Sequence, residues 1–228
     1  MASKIKNKKI IELEALLKPN FYYVFRADGV DFTEFRVSNL DVNELKSLYK
    51  VYFELSKLIF KEFSWVKFIY YFDDEINLAF RGNQIGFGAR VEKNLSILSS
   101  YISVEFNKLI MSTPFEHKLE RRQEYYFDGR FVEIRNYDSL KEYFVKEQKK
   151  SHVQVKNLLT NQGVKGKKPN INSIIANNME IDEKTREYKC LFGCFISCDL
   201  EERKMGSNEE DLKKDISLLI DKAFGKNN

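Results

Sequence analysis

Residues 21–32, FYYVFRADGVDF, and residues 65–80, WVKFIYYFDDEINLAF, decide the fold through what they contain and the order in which they come. The first opens with an aromatic and β-branched run, residues 21–27, that reads as a strand ended by the Asp28-Gly29 turn signal. The second holds two apolar runs, Trp65 to Phe72 and Ile76 to Phe80, parted by Asp73, Asp74 and Glu75, which is hairpin spacing with acids at the tip. Between the two stretches, Asp41 and Glu44 form a capping-box pattern. Leu45, Leu48, Tyr52, Leu55, Ile59 and Phe63 then recur at helical steps and predict a helix lying on a sheet. After the hairpin, GNQIGFG leads into a second amphipathic helix with Val91, Leu95, Leu98, Ile102, Phe106 and Leu109 on one stripe. Glu124 to Tyr126 and Arg130 to Ile134, flanking Phe127-Asp128-Gly129, predict a further strand or a hairpin.

The resulting order, βαββαβ, is the split βαβ arrangement of ferredoxin-like α+β domains, which is also the core of polymerase palms. Residues 1–138 form this palm-like domain. Residues 139–228 form an extension packed on it, with a helix over 139–161, a Gly/Lys/Pro loop over 162–170, a strand over 188–200 and a helix over 209–224. At 228 residues, 43% apolar and 32% charged, the chain has the balance of a folded protein and not of a disordered tail. Its 12 Tyr and 19 Phe fall mostly on the stripes and strands just named and so read as core.

The formal charge of +4 favours polyanionic partners only mildly, but its distribution is uneven. Lys146, Lys149, Lys150, Lys156, Lys165, Lys167 and Lys168 stand against the single acid Glu147, a basic segment suited to RNA phosphates or to a solvated helix face. The N-terminal stretch has no uninterrupted apolar core of a signal peptide, and no apolar run reaches membrane-span length, so the expectation is a cytoplasmic protein without a membrane partner. Cys190, Cys194 and Cys198 are odd in number and crowded, which is no disulfide framework, and zinc would need a fourth ligand.

In the βαββαβ topology the end of the first strand and the tip of the hairpin share one edge of the sheet, bringing Asp28 beside Asp74 and Glu75. Clustered carboxylates are costly unless protonated or shared with a cation, and hard oxygen ligands suit Mg²⁺ held together with a triphosphate. Two such ions would serve nucleotidyl transfer, and Gly29, lacking a Cβ, would let a metal or phosphate reach its carbonyl. Each motif alone is ordinary turn chemistry; their joint placement is what turn chemistry does not demand. Arg90 and Lys93, three apart at the start of the second helix, are candidates for the phosphates.

These residues resemble a known family. FRADGVDFTEF is similar to the R-x-DG-x-x-F-x-x-F signature of tRNA-His guanylyltransferases, and YYFDDEINLAF to their Y-x-x-SDE hairpin. RVEKNLSILSSYISVEF resembles their R-x-x-K-x-x-S helix, YYFDGRFVEI their FDAR strand, and EYFVKEQKKSH their YF-x-x-RQ-x-x-x-H stretch. The resemblance implies 3′-to-5′ addition of nucleotides to the 5′ end of a tRNA, with ATP, GTP or other nucleoside triphosphates as substrates. It implies that Asp28, the Gly29 carbonyl and Asp74 hold two Mg²⁺ supported by Glu75, that Arg26, Arg90 and Lys93 contact triphosphate, and that a homotetramer shares the tRNA. His152 would lie near the tRNA with Gln148 on the same helix face, and Lys149, Lys150 and Lys156 belong to the basic segment around them.

The chain also departs from the pattern. Asp73 stands where Ser is usual, Glu147 where Arg is usual and Lys150 where Asp is usual, and the K-P-N-D segment after the first strand is missing. These changes fall on nucleotide and RNA recognition and spare the metal carboxylates, which favours repair of truncated 5′ ends over strict tRNA-His specificity. Two other readings stand beside this one: a palm-type nucleotide cyclase or cyclic-oligonucleotide synthase, and an RNA-binding module without catalysis. The basic segment argues against the first, and the retained acids against the second.

Overall fold

The computed structural model describes residues 15–32, 42–113, 124–161, 194–198, 202–203 and 209–225. Its elements are β1 (Tyr22–Gly29), α1 (Val42–Glu62), β2 (Phe68–Phe72), β3 (Glu75–Arg81), α2 (Val91–Ile110), β4 (Phe127–Ile134), α3 (Tyr137–Asn161), β5 (Cys194–Ser197), β6 (Glu202–Arg203) and α4 (Glu209–Ala223). One sheet runs through them in the order β4-β1-β3-β2-β5-β6, with every neighbouring pair antiparallel. The first four positions are the ferredoxin-like arrangement that the sequence predicts. None of the described helices is long and apolar enough to cross a membrane.

Side chains alternate across the sheet, so the two faces are lined by different halves of each strand. On one face Tyr23, Phe25 and Ala27 of β1 sit with Ile76, Leu78 and Phe80 of β3, all buried. Helices α1 and α2 cover them. Tyr52 of α1 stacks on Tyr71 of β2 at 5.1 Å, and Phe106 of α2 meets Phe127 of β4 edge-on at 5.2 Å. Of the stripe predicted on α1, Leu48, Tyr52, Leu55 and Ile59 are buried, with Phe63 just past its end; Asp41 and the side chain of Leu45 lie outside the described residues. On α2 the deepest positions are Leu98, Ile102, Phe106 and Ile110, while Val91, Leu95 and Leu109 are half-buried at the margin. Each large side chain taken out of water here contributes about 1.5–3 kcal/mol.

The opposite face is apolar toward β2 and β5. Phe68 and Tyr70 pack around Phe144 of α3, and Tyr70 stacks on Phe195 of β5 at 4.4 Å. At the far end Tyr22 meets Phe224, which follows α4, and Tyr137 of α3. Cys194 is buried in β5 opposite Tyr71; Cys198 is half-buried; Cys190 lies outside the described residues.

The Phe127-Asp128-Gly129 stretch is not a hairpin tip. It lies inside a continuous β4, with Gly129 opposite Ala27 of β1. A Cβ at Gly129 would overlap the Phe25 ring and Ser99 Oγ, so the glycine is there to let α2 and the sheet close together. Asp128-Gly129 resembles a turn signal in composition, but packing decides its use.

Candidate active site on the open end of the sheet

β1 and β3 are paired so that Asp28 stands opposite Glu75, and β1 and β4 so that Asp28 stands opposite Asp128. Two residues back, Arg26 stands between Asn77 and Arg130. Alternation puts all six on the face away from α1 and α2, forming a charged row across three strands. The hairpin tip closes onto the end of β1, where the Gly29 amide donates to the Asp74 carbonyl at 2.9 Å. Asp73 takes the left-handed conformation, φ 57°, in that tight turn, which Asp tolerates better than most residues. Gly29 is constrained as well, since a Cβ there would overlap the Phe32 ring.

Arg26 is the hub of the row. Its guanidinium pairs with Glu75, lies 3.4 Å from Asp28 and stands 4.0 Å from Glu147 of α3. Burial works against its charge, but Glu75 and Asp28 outweigh that and hold its pKa above the ordinary value. Arg130, well exposed, pairs with the other oxygen of Asp28. Glu75 is mostly buried. Desolvation pushes its pKa up to about 7, against the opposing pull of the Asn77 amide and Arg26. Asn77 is fully buried; its Nδ2 donates to Glu75 Oε1 at 2.6 Å, and its Oδ1 accepts from the Tyr143 hydroxyl at 2.8 Å. On the other side of the turn, the buried Tyr52 hydroxyl is held well above its usual pKa, first by burial and then by the charges of Asp74, Asp73 and Glu75.

Asp28, Gly29, Asp74, Glu75 and Arg26 are therefore brought together at one end of the sheet. Arg90 and Lys93 are not. β3 runs away from the acids, from Glu75 to Arg81, and α2 starts at that distant end. There Arg90 bridges to Leu16, and Val91 and Leu17 exchange backbone hydrogen bonds with Ala15 and Ala89, all at the side where β1 begins. The length of β1, roughly 20 Å at the usual rise, separates them from Asp28. Lys93 lies over the Phe87 ring, 5.7 Å from its centroid.

On α3, Lys149 and Lys150 are exposed, whereas Gln148 turns inward and is fully buried. The side chains of His152 and Lys156 lie outside the described residues, although both positions are in the helix. The two departures on this helix pair with each other: Lys150 Nζ is 2.6 Å from Glu147 Oε1. Asn77, Asp128, Arg130 and Tyr143 were not singled out by sequence reasoning. Asp128 and Arg130 carried a signal, their place in the stretch that resembles the FDAR strand, and the pairing of β4 with β1 shows that their two-residue spacing mirrors Arg26 and Asp28.

Among the described residues, no three carboxylate, imidazole or thiolate side chains are gathered as a ready metal cage. Guanidinium groups neutralise the acids instead. The donor set nevertheless fits a hard divalent cation, because hard carboxylate oxygens at adjoining strand ends are already paired with positive charge, and Asp28 is still partly open to solvent.

A ferredoxin-like α+β sheet with a carboxylate and guanidinium row at the ends of its central strands defines a palm-type protein. The chain belongs to the tRNAHis guanylyltransferase family, a family of nucleotidyltransferases, whose sequence model matches residues 5–135. Among solved structures it is similar to the tRNA(His) guanylyltransferase of Saccharomyces cerevisiae, at 18% identity over 86% of this chain and 93% of that one, with a TM-score of 0.66. It is also similar to a bacterial tRNA(His) guanylyltransferase-like protein in complex with ATP, at 15% identity over 90% and 93% of the chains, TM-score 0.66. A bacterial protein of the same description in complex with GTP gives 16% identity over 90% and 92%, TM-score 0.61. At these identities the likeness is one of fold. No curated protein sequence matches.

Proposed function

We propose that this chain adds nucleotides in the 3′-to-5′ direction to the 5′ end of a tRNA, by Mg²⁺-dependent transfer from nucleoside triphosphates such as ATP and GTP. One observation carries the reading: the family's acidic positions, Asp28 and the Asp74-Glu75 tip, meet at a single strand end, joined by the Gly29 to Asp74 hydrogen bond. Asp28, Asp74 and the Gly29 carbonyl would hold the metal, with Glu75 beside them. Mg²⁺ bound there supplies neutralisation of the phosphates and activation of the attacking oxygen. Arg26 and Arg130, already drawn to these carboxylates, present the cations that an incoming triphosphate meets. Glu75 must be ionised to support a cation, and Asn77 and Arg26 favour that form. Arg90 and Lys93 begin α2 at the other end of β3 from these acids.

The exposed Lys149 and Lys150 on α3 give the acceptor RNA basic contacts on the helix whose Glu147 reaches Arg26, and His152 and Lys156 follow them in the sequence. A homotetramer sharing the tRNA, and a cytoplasmic setting, complete the proposal. The departures at Asp73, Glu147 and Lys150 favour a repair role on truncated 5′ ends. The test is incubation of purified protein with Mg²⁺, labelled triphosphates and 5′-truncated tRNAs. Products longer by one or more nucleotides are expected, and unchanged lengths under every nucleotide mixture overturn the reading. A cyclic product formed without RNA would establish the cyclase alternative.

A further inference from the structure

We propose that Tyr143 is a positioning residue for the Glu75 carboxylate, acting through the side-chain amide of Asn77. The proposal rests on the reading of Glu75 as part of the nucleotidyl-transfer site. It adds a contribution from α3, which lies beyond the residues 5–135 that the family model matches.

The geometry is a chain of two hydrogen bonds. The Tyr143 hydroxyl donates to Asn77 Oδ1 at 2.8 Å, and Asn77 Nδ2 donates to Glu75 Oε1 at 2.6 Å. The two ends of an amide are chemically opposite, one accepting and one donating. With its proton on Oδ1, Tyr143 leaves the NH₂ end facing the carboxylate. Turned over, Asn77 would set its carbonyl oxygen against a carboxylate oxygen, and no water is at hand to relieve the repulsion because Asn77 is fully buried. The other carboxylate oxygen, Oε2, is held by Arg26. Both oxygens of Glu75 are thus fixed, and the plane of the carboxylate with them.

Tyr143 itself stays a proton donor. Burial, followed by the charges of Glu147 and Glu75, raises its pKa far above the ordinary range, so the phenol keeps its proton at any working pH. Its ring is anchored by edge-on contact with Phe144 at 5.2 Å, so the hydroxyl is held by the same helix that packs Phe144 on β2. Removing the hydroxyl leaves this packing in place and takes away the hydrogen bond that orients Asn77, together with the hydroxyl's contact with Arg26.

The experiment compares the full-length wild type with Tyr143→Phe, Asn77→Ser and the double variant. In Tyr143→Phe, kcat for nucleotide addition falls about tenfold, the scale of a lost orienting hydrogen bond behind a functional group, while KM for the triphosphate stays near its wild-type value. The double variant is slower than Asn77→Ser alone by much less than the roughly tenfold effect of Tyr143→Phe in the wild type, because most of that effect passes through Asn77 and only the remainder through Arg26. In ¹⁵N spectra the Asn77 NH₂ pair, slow to exchange in the wild type, shifts and exchanges faster in Tyr143→Phe. Wild-type kcat in Tyr143→Phe, a rise in KM alone, or unmoved Asn77 NH₂ signals would each overturn the proposal. If the wild type adds no nucleotides, the functional reading fails, and the Asn77 signals judge the relay without it.

Discussion

On one face of β1, Tyr23, Phe25 and Ala27 are packed against α1, α2 and the neighbouring strands; on the other, Arg26 and Asp28 meet charged partners in the same strands. The backbone is shared, so the difference lies entirely in the side chains. The first face is held by contact area and shape, and every group removed from it leaves a hole. The second sets Asp28, opposite Glu75 on one strand and Asp128 on the other, against two guanidiniums, and burial holds Glu75 up at about 7. One face stabilises the sheet by burial, and the other pairs opposite charges across three strands and α3.

The sharpest way to break that division is Asp28→Ala. Arg26 keeps Glu75 as a partner and Arg130 is exposed, so the fold should lose little. Nucleotide addition should fall by about three powers of ten, the loss of several kcal/mol of charge stabilisation in the transition state, read in single-turnover assays. A large drop in melting temperature would show that the charged row is structural after all.

Phe25→Ala makes the opposite trade. Phe25 is fully buried, its ring 5.5 Å from Phe131 and against Gly129. Its truncation should cost about 3–5 kcal/mol of stability by urea titration, with the urea dependence unchanged. Activity per folded molecule should stay close to wild type.

Much of this was legible in the sequence, and what was not has physical reasons. The alternation in β1 and the acids at the hairpin tip point to the sheet order and to Asp28 and the hairpin tip lying at one end of it, because both depend on local pattern and on a topology with few alternatives. That Arg90 and Lys93 begin α2 at the end of the sheet away from the acids is not legible locally, because only the direction of β3 reveals which end a helix N-terminus occupies. Gln148 was misjudged for a related reason. Spacing from residue 152 relates positions along a helix, but which of them turns inward depends on what the helix packs against. Asn77 and Tyr143 are 66 residues apart, and their hydrogen bond leaves no periodic trace.

Glu75→Gln sharpens the comparison by asking what ionisation at the site costs. The folded-state pKa, about 7, lies above the unfolded value, so the fold binds that proton more tightly than the unfolded chain does. The advantage is complete below the unfolded pKa and is lost as pH rises through 7. Glu75→Gln should therefore be neutral near pH 4 and stabilising by up to about 3 kcal/mol near pH 8, less whatever the Arg26 pairing contributed. Wild-type addition should decline below pH 7 as Glu75 takes up its proton, and thermal melts across this range check the sign.

The smallest effects concern α3, where neighbouring residues divide between the two regimes. Lys149 points to solvent and Gln148 into the structure. If Lys149 contacts an RNA phosphate, Lys149→Ala should weaken tRNA binding a few-fold and flatten the slope of log affinity against log salt by about one, with no change in melting temperature. Gln148→Ala should do the reverse, costing about 1 kcal/mol of stability and leaving the salt slope as it was. The pair separates an electrostatic surface from a buried amide one residue away. Equal salt slopes in both variants would mean that the RNA does not follow this part of the helix.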